Sequence, residues 1–371
     1  MPHLSHSRGP VNDSMTTIGS LFSGAGGLDL AVEHVLGGRT VWQVEVDEAA
    51  RRVLGRHWPG ADRSVTDVRQ ARGMRGVDVV CGGFPCQDLS VAGKGAGLSG
   101  ARSGLFFDLA RVVREIQPSI VVMENVPGLW RYREAIEAEL AGYGCRWVRW
   151  SATTAGAPHL RRRVLIVAVR GGPSLPDLDL TVSAREWAQR QTDRGVEVPE
   201  RLWPTATASD SRGSGARNGP GSRAHPGTSL VDAVVHGHSG ARTHEHTWAT
   251  PRASRLSPDW VECLMGWPVG WTLPEGPGML DEAQGMLHDP RWPRGRPPTE
   301  WEGPWPGHPW EPARTESGPP VRGRPARLRQ TGNGVVPQAL VMALHAALSP
   351  PAQPDLWSPD KLGQIGLWRP R

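Results

Sequence analysis

A cysteine in a glycine-flanked loop is the first candidate for chemistry in this sequence. Cys86 lies between Pro85 and Gln87, in the run Gly82-Gly-Phe-Pro-Cys-Gln-Asp-Leu-Ser90 that follows an apolar, strand-like segment. Active sites of α/β proteins form at the ends of strands, and a cysteine that only packs a core needs no such loop. The pattern indicates an exposed, rigidly presented thiol that can act as a nucleophile.

A carboxylate and two arginines accompany two other apolar segments. Glu124 and Asn125 end one of them, so a parallel sheet would bring this carboxylate to the same edge as Cys86. Arg161 and Arg163 frame the start of a later strand. Because alternate strand residues point to one side, we expect their guanidinium groups to face together. An isolated arginine pair at a strand entrance is more commonly a solvated surface feature.

A glycine-rich turn near the start of the chain has the form of a cofactor loop. The run Phe22-Ser-Gly-Ala-Gly-Gly27 lies between a predicted strand and a predicted helix, where glycines let a ligand approach the backbone. Glu45 follows Gly27 by 18 residues, at the usual place for a carboxylate that binds ribose hydroxyls. Asp67 is either a contact to an adenine amino group or a helix cap. Together these residues predict a cofactor that contains adenosine.

The elements that must position these residues are those of an α/β domain. Short apolar runs alternate with amphipathic stretches over residues 16–170, which predicts one doubly wound domain around a parallel sheet. Strands are predicted at Thr17–Phe22, Arg39–Val44, Asp78–Cys81, Ile120–Glu124 and Val164–Val169. Helices are predicted at Leu28–Leu36, Glu48–His57, Leu105–Ile116 and Val335–Leu348.

The rest of the chain has a different composition. Residues 171–328 are rich in Gly, Pro, Ser and Arg, which predicts a second, loop-rich domain with a basic surface over Ser211–Val231. Thirteen prolines lie within Pro274–Pro325, which predicts an irregular insertion without regular helix or sheet. Residues 329–348 regain helical spacing, and we expect them to return to the first domain.

Composition excludes several classes of protein. The four cysteines form no CxxC pair and no group with zinc-ligand spacing, so we expect neither a disulfide scaffold nor a metal site. Apolar runs are far shorter than a bilayer span and residues 1–20 lack a secretory signal core, so we expect a cytoplasmic protein without a membrane partner. Only two of the 42 basic residues are lysines, a bias that fits a GC-rich genome or recognition of phosphates and guanine.

Five motifs, taken in order, resemble those of the DNA (cytosine-5)-methyltransferases. They are Phe-Ser-Gly-Ala-Gly-Gly, Pro-Cys-Gln, Glu-Asn-Val, Arg-x-Arg and Gly-Asn-Gly-Val-Val-Pro. The resemblance extends over Thr16–Arg170, Arg255–Pro268 and Arg322–Leu348. It implies a Rossmann-like fold that binds S-adenosyl-L-methionine, with a smaller target-recognition domain, in an enzyme of bacterial or phage type.

The resemblance implies a role for each catalytic candidate. Cys86 would add to C6 of a target cytosine, and Glu124 would hold N3 and the exocyclic amino group. Asn125 would position the cysteine loop, Arg163 would bind near O2 of the base, and Arg161 would support the loop or its backbone. C5 would then take the methyl group and lose its proton, and loss of the thiolate would release 5-methylcytosine without a metal.

The resemblance also implies a cofactor pocket and DNA contacts. Glu45 would bind the ribose, Val46 would lie on the adenine face and Asp67 would contact the adenine amino group. The pocket would be completed by Phe22, Ser23, Gly24, Gly26, Gly27, Asn333 and Val335. Because the target carbons are buried in a stacked duplex, the base must be flipped out of it. The region that recognises the duplex would contact it through Arg212, Arg217 and Arg223.

Some positions depart from the family pattern. His159 stands where glutamine is usual before the two arginines. Trp260 takes the place of a usual glutamate, and Glu262 falls two positions later, which puts the usual contact of that helix in doubt. Val44-Glu-Val-Asp47 replaces the common Asn-Glu-x-Asp, and the proline-rich insertion has no counterpart in the pattern.

Three alternatives remain open at the level of the sequence. The same chemistry serves RNA methylation, a catalytically silent DNA-binding module would keep the fold, and a nicotinamide oxidoreductase would share the glycine-rich turn. A long recognition region favours duplex DNA, and the joint presence of Cys86, Glu124 and Arg163 favours an active enzyme. We predict a monomer that serves restriction-modification or protection of phage DNA, with any restriction endonuclease acting as a separate protein.

Overall fold

The computed structural model describes residues 15–85, 104–193, 202–212, 229–236, 255–288, 312–316 and 323–349. The strands are β1 (Thr17–Leu21), β2 (Arg39–Val44), β3 (Val79–Gly82), β4 (Ile120–Asn125), β5 (Tyr143–Trp150), β6 (Arg163–Arg170), β7 (Leu178–Asp179), β8 (Arg255–Leu256) and β9 (Thr315–Glu316). The helices are α1 (Gly27–Leu36), α2 (Glu48–His57), α3 (Leu105–Ile116), α4 (Arg133–Glu139), α5 (Ala184–Thr192), α6 (Leu230–His236), α7 (Pro258–Leu264), α8 (Leu280–His288), α9 (Arg324–Asn333) and α10 (Pro337–Leu348). Within these ranges no helix is both long and apolar enough to cross a bilayer.

One seven-stranded sheet organises the described chain, in the order β2-β1-β3-β4-β6-β5-β7. The pairs β1–β2, β1–β3 and β3–β4 are parallel, and each of these strands is followed in the chain by a helix or by a 3₁₀ turn. Strands β8 and β9 form a separate two-stranded antiparallel ribbon. The predicted α/β, Rossmann-like class is confirmed by this architecture.

The expectation of a wholly parallel sheet is wrong at one strand. Strand β6 runs antiparallel to both of its neighbours, β4 and β5. Asn125, at the end of β4, is therefore opposite Val164, at the start of β6. In a parallel sheet the end of one strand and the start of the next lie at opposite edges. The reversal is what brings Glu124 and Arg163 to the same edge.

Apolar residues of the central strands alternate between the two faces of the sheet. Val122 packs in the cluster that contains residues of α1 and α10, whereas Val121 and Met123 pack in the cluster that contains Phe106 of α3. This alternation is the period-two pattern of a strand that is buried on both faces. Helix α10 contacts α1 and β5, so the last described segment of the chain covers the same face as the first helix.

The sequence predicted five of the seven strands of this sheet. Strands β5 and β7 were not predicted, and neither was helix α4. In β5 arginines interrupt the apolar pattern, yet Arg146 is buried because its guanidinium donates to carbonyl oxygens near the end of α10. A buried arginine of this kind is invisible to a pattern of hydrophobicity.

The expectation that Pro274–Pro325 contains no regular helix or sheet is also wrong. Helix α8, within this segment, has the sequence LDEAQGMLH and contains no proline. It packs against α1, where Gln284 donates to the carbonyl oxygen of Leu30. The prolines lie on either side of this stretch, so they bound the helix and do not break it.

Candidate active site

A largely buried carboxylate and a guanidinium face each other at the edge where β4 ends. Arg163 Nε lies 2.9 Å from Glu124 Oε1, with the two side chains 18% and 11% exposed. Burial raises the pKa of the Glu124 carboxyl, and the positive charges of Arg163 and Arg161 oppose that rise. Glu124 is thus a carboxyl group that takes up a proton more readily than an exposed glutamate does.

Arg161 reaches this edge in a different way from the one expected. It lies before β6 begins and has a φ of 31°, so strand alternation does not set its direction. Its guanidinium donates to the carbonyl oxygens of Ala206 and Gly332, at 2.9 and 3.1 Å, and to that of Gly334. These bonds join Arg161 to the carboxy-terminal motif and to the segment before the 3₁₀ turn Ala208–Arg212. Its support of the cysteine loop stays a prediction.

Asn125 fastens the segment that leads to the cysteine. Its Nδ2 donates to the carbonyl oxygen of Phe84 at 3.0 Å, and its Oδ1 accepts from the amide of Val126. Phe84 is buried against Phe106, so the chain up to Pro85 is held at the end of β3. The predicted Cys86 and Gln87 lie outside the described residues.

The glycine-rich loop between β1 and α1 requires backbone that larger residues adopt with strain. Gly24 and Gly26 have φ angles of 55° and 85°, and Phe22 itself has a φ of 55°. A Cβ atom on Gly26 would lie 2.3 Å from the indole of Trp58, so both conformation and space select glycine there. The strain at Phe22 marks a loop that its surroundings hold in place.

A network of hydrogen bonds between buried polar side chains lies next to this loop and was not predicted from the sequence. Ser23 Oγ donates to Ser20 Oγ at 2.8 Å, and Ser20 Oγ donates to Asp29 at 3.0 Å. Gln43 donates to the other oxygen of Asp29, whose pKa burial raises to about 7. The available signal was an aspartate within the apolar first turns of α1. A charge in such a position needs partners.

Glu45 and Val46 lie at the end of β2. The Glu45 carboxylate accepts from the amides of Gly24 and Asp47, both at 2.8 Å, while burial raises its pKa. Val46 is 71% exposed, an unusual state for a large apolar side chain next to a buried carboxylate. Asp67 caps the 3₁₀ turn Val68–Gln70 and pairs with Arg69, so the structure shows the capping role that was one of its two interpretations.

One cavity brings together residues from both ends of the chain. Five of its lining residues were predicted for the site, namely Phe22, Ser23, Glu124, Asn333 and Val335. Ser20, Leu21, Leu28, Asp29 and Gly83 complete the lining. Gly27 is close by, because a Cβ atom there would lie 2.9 Å from Val335. The cavity therefore connects the glycine-rich loop directly to the Glu124 carboxylate.

The predicted DNA contacts are mostly outside the described residues. Arg212 ends the 3₁₀ turn Ala208–Arg212, which contacts α9, whereas Arg217 and Arg223 are not described. The turn is fixed by Asp210, whose carboxylate accepts from the amide and hydroxyl of Thr207. The DNA-contact role of all three arginines stays a prediction.

The departures from the family pattern have structural explanations. His159 is fully buried, bonds through Nε2 to the carbonyl oxygen of Leu264, and has its pKa lowered by burial to about 3. Trp260 packs edge-on against Trp203. Glu262 supplies a fully buried carboxylate that pairs with Arg327 at 2.8 Å.

The fold is similar to that of methyltransferases of known structure. Spodoptera frugiperda DNMT2 superposes with a TM-score of 0.53 at 14% identity, covering 90% of this chain and 100% of that one. Entamoeba histolytica methyltransferase EhMeth superposes with a TM-score of 0.52 at 12% identity, covering 91% and 98%. At these identities the likeness concerns the fold alone.

The chain belongs to the C-5 cytosine-specific DNA methylase family, whose model matches residues 16–271. It is 36% identical over 161 residues to Type II methyltransferase M2.BsuMI of Bacillus subtilis, an alignment that covers 40% of this chain and 41% of that protein. It is 26% identical over 295 residues to Type II methyltransferase M.HpaII of Haemophilus parainfluenzae, covering 68% and 80%. The chain thus spans about two fifths of the length of M2.BsuMI.

Proposed function

We propose that this protein is a DNA cytosine-5 methyltransferase that uses S-adenosylmethionine. The observation that carries the proposal is a cavity lined by Glu124, by Phe22 and Ser23 of the glycine-rich loop, and by Asn333 and Val335. Membership of the C-5 cytosine-specific DNA methylase family supports the same reaction. A nicotinamide oxidoreductase would have no use for a glutamate and arginine pair at the edge of the sheet beside its cofactor loop.

The residues of the cavity and of the neighbouring end of β2 fit this cofactor. Glu45 accepts one amide through each carboxylate oxygen, and because a carboxylate has about four acceptor sites, capacity remains for two ribose hydroxyls. The exposed side chain of Val46 offers an apolar face for the adenine ring. The backbone of the glycine-rich loop, with Asn333 and Val335, would hold the methionine end. When bound, S-adenosylmethionine supplies the methyl group.

Cys86 and Glu124 would carry out the activation of the base together. The thiolate of Cys86 adds to C6, and the electron pair of the C5–C6 bond becomes available at C5. Negative charge would otherwise build up on the ring, and Glu124 offsets it by holding a proton at N3 and accepting from the amino group. The raised pKa of Glu124 favours this protonated form.

Turnover would then proceed without a metal. C5 would take the methyl group as adenosylhomocysteine leaves, and a base would remove the C5 proton. The electron pair of the C5–H bond would re-form the C5–C6 double bond as the thiolate of Cys86 leaves and the N3 proton returns to Glu124. Arg163, which pairs with Glu124, would bind O2 of the base. Asn125 holds the chain that precedes Cys86 through the Phe84 carbonyl.

The substrate would be duplex DNA, from which the cytosine is flipped into the cavity. A cytosine in a stacked duplex cannot present C6 to a thiol, so extrusion is a requirement of the chemistry. Arg212, Arg217 and Arg223 would contact phosphates or guanine edges in the recognition region. We further propose that the enzyme acts as a cytoplasmic monomer in restriction-modification or protection of phage DNA, apart from any cognate endonuclease.

The test is methyl transfer from labelled S-adenosylmethionine to unmethylated duplex DNA, followed by mapping of modified cytosines at base resolution. Wild type is compared with Cys86→Ser and Cys86→Ala. We expect 5-methylcytosine in one sequence context from wild type and none from either variant. Label that appears in RNA alone would favour an RNA methyltransferase. Binding of DNA and cofactor by wild type without any transfer would favour a silent binding module.

A further inference from the structure

Two buried tryptophans connect the two loops that form the cofactor cavity. Trp271 Nε1 donates to the carbonyl oxygen of Ala25, in the glycine-rich loop, at 2.8 Å. Trp267 Nε1 donates to the carbonyl oxygen of Val335, in the carboxy-terminal motif, at 2.7 Å. Both side chains are only 1% exposed. The two loops come from opposite ends of the sequence, and neighbouring tryptophans bond to the backbone of each.

The tryptophan rings also fill the space beside these loops. The two indoles pack edge to face with centroids 5.8 Å apart, and His57 stacks on Trp271 at 3.8 Å. A Cβ atom on Gly27 would lie 3.0 Å from the Trp267 ring, and one on Gly334 would lie 2.7 Å from it. The ring of Trp267 is therefore in close contact with the backbone of both loops, and its position sets their separation.

Hydrogen bonds to a buried glutamate fix the turn that carries Trp271. Glu262 accepts from the amides of Gly270 and Thr272, the residues on either side of Trp271, at 2.6 and 2.9 Å. Glu262 is fully buried and paired with Arg327. Because both flanking amides are fixed, the indole N–H of Trp271 is aimed at the Ala25 carbonyl without freedom to adjust.

We propose that Trp267 and Trp271 are positioning residues that set the spacing of the two cofactor loops and thereby the affinity for the cofactor. This inference rests on the proposed function, since the cavity is taken to bind S-adenosylmethionine. An indole N–H only donates, so phenylalanine removes the hydrogen bond while it keeps an aromatic ring. The carbonyl oxygens of Ala25 and Val335 would then lose their indole donors, and the spacing of the two loops would no longer be fixed.

The test uses the full chain and measures binding of adenosylhomocysteine by calorimetry. Trp271→Phe and Trp267→Phe are compared with Trp187→Phe, a control that also loses a bond from a buried indole to a backbone carbonyl, that of Gly156 at 2.8 Å. A net hydrogen bond corresponds to roughly a fivefold to tenfold change, so we expect the Kd of the first two variants to rise by about that factor. We expect the Kd of Trp187→Phe to stay at the wild-type value while all three melt at lower temperature than wild type.

Steady-state kinetics distinguish weaker positioning of the cofactor from a general loss of active protein. We expect the KM for S-adenosylmethionine to rise with the Kd in Trp271→Phe and Trp267→Phe, while kcat at saturating cofactor changes by less than about twofold. Wild-type Kd in both variants, or an equal rise in Trp187→Phe, would overturn the inference. A wild-type chain that binds adenosylhomocysteine but transfers no methyl group would instead refute the proposed function and leave the binding comparison valid.

Gly334→Ala keeps the inference testable where a tryptophan variant fails to fold. Gly334 has φ −67° and ψ 174°, which alanine adopts without strain, so the variant's effect comes from the new methyl group. Its closest contact would be the Trp267 ring at 2.7 Å, followed by the Gln330 carbonyl oxygen at 3.1 Å. It removes no hydrogen bond. We expect a rise in the Kd for adenosylhomocysteine in the folded variant, and a wild-type Kd would contradict the role assigned to Trp267.

Discussion

Two pairs of glutamate and arginine in this chain, one fully buried and one largely buried, have opposite surroundings. Glu262 pairs with Arg327 at 2.8 Å and also accepts from the amides of Gly270 and Thr272 and from the Thr272 hydroxyl. Glu124 pairs with Arg163 at 2.9 Å, and within the described part of the chain no backbone amide donates to it. A carboxylate whose acceptor sites are filled by the protein holds structure together, whereas one that lines a cavity with spare capacity is available to a ligand.

The largest effect expected from this contrast is on catalysis, at Glu124. Glutamine has nearly the same shape but cannot donate a proton to N3 of the base. We expect Glu124→Gln to lower kcat/KM by about a thousandfold, within the range for lost acid–base assistance, while the unfolding temperature changes little. Labelled methyl transfer and calorimetry measure the two quantities. A large loss of stability with retained transfer would show that Glu124 is a structural carboxylate like Glu262.

At Glu262 we expect the opposite result, which is a loss of folding stability. Glu262→Gln leaves Arg327 buried with part of its charge unpaired, and breaking a buried pair of this kind destabilises a protein by about 3 kcal/mol. Denaturant unfolding measures this loss. The exposed pair of Glu48 and Arg52 supplies the control, because Glu48→Gln should leave the unfolding midpoint unchanged. Unchanged stability in Glu262→Gln, together with lost methyl transfer, would reverse the roles of the two carboxylates.

His159 links the segments that carry the two glutamate–arginine pairs, and we expect it to have an effect of intermediate size, on the pH dependence of stability. His159 precedes β6, which carries Arg163, and bonds to the carbonyl of Leu264 at the end of α7, which carries Glu262. Burial lowers its pKa from 6.5 to about 3, so the folded state keeps it neutral while the unfolded state binds a proton below pH 6.5. Its contribution to stability is therefore complete above pH 6.5 and declines as the pH falls toward 3.

Replacement of His159 by the family's usual glutamine should remove this dependence. The amide group of the new side chain would still donate to the Leu264 carbonyl, so His159→Gln should match wild type at pH 8. At pH 5 the wild type should have lost about 2 kcal/mol more than the variant, at 1.36 kcal/mol per pH unit. Urea unfolding at the two pH values measures the difference. Parallel pH profiles would show that His159 is not kept neutral by the fold.

The contrast also explains what could be predicted from the sequence. The motif around Glu124 lies at the end of a clear apolar strand, so local pattern located it, whereas Glu262 and Arg327 are far apart in the chain and meet only through tertiary packing. The direction of β6 could not be predicted either, because a buried strand has the same apolar pattern in both directions. Asn333 and Val335 were assigned through resemblance, not through spacing.

The smallest effect is expected on cofactor binding, at one of two exposed valines. Val46, beside the Glu45 carboxylate, is 71% exposed, and Val269, beside the turn held by Glu262, is 43% exposed. Removal of two methyl groups that cover an adenine ring on one face would weaken binding by about 1 kcal/mol, or roughly fivefold. We therefore expect Val46→Ala to raise the Kd for adenosylhomocysteine by that factor and Val269→Ala to leave it unchanged. Because neither side chain is packed in the core, neither variant should melt at a different temperature from wild type. Equal Kd values in the two variants would therefore mean that the exposed face of Val46 does not contact the cofactor.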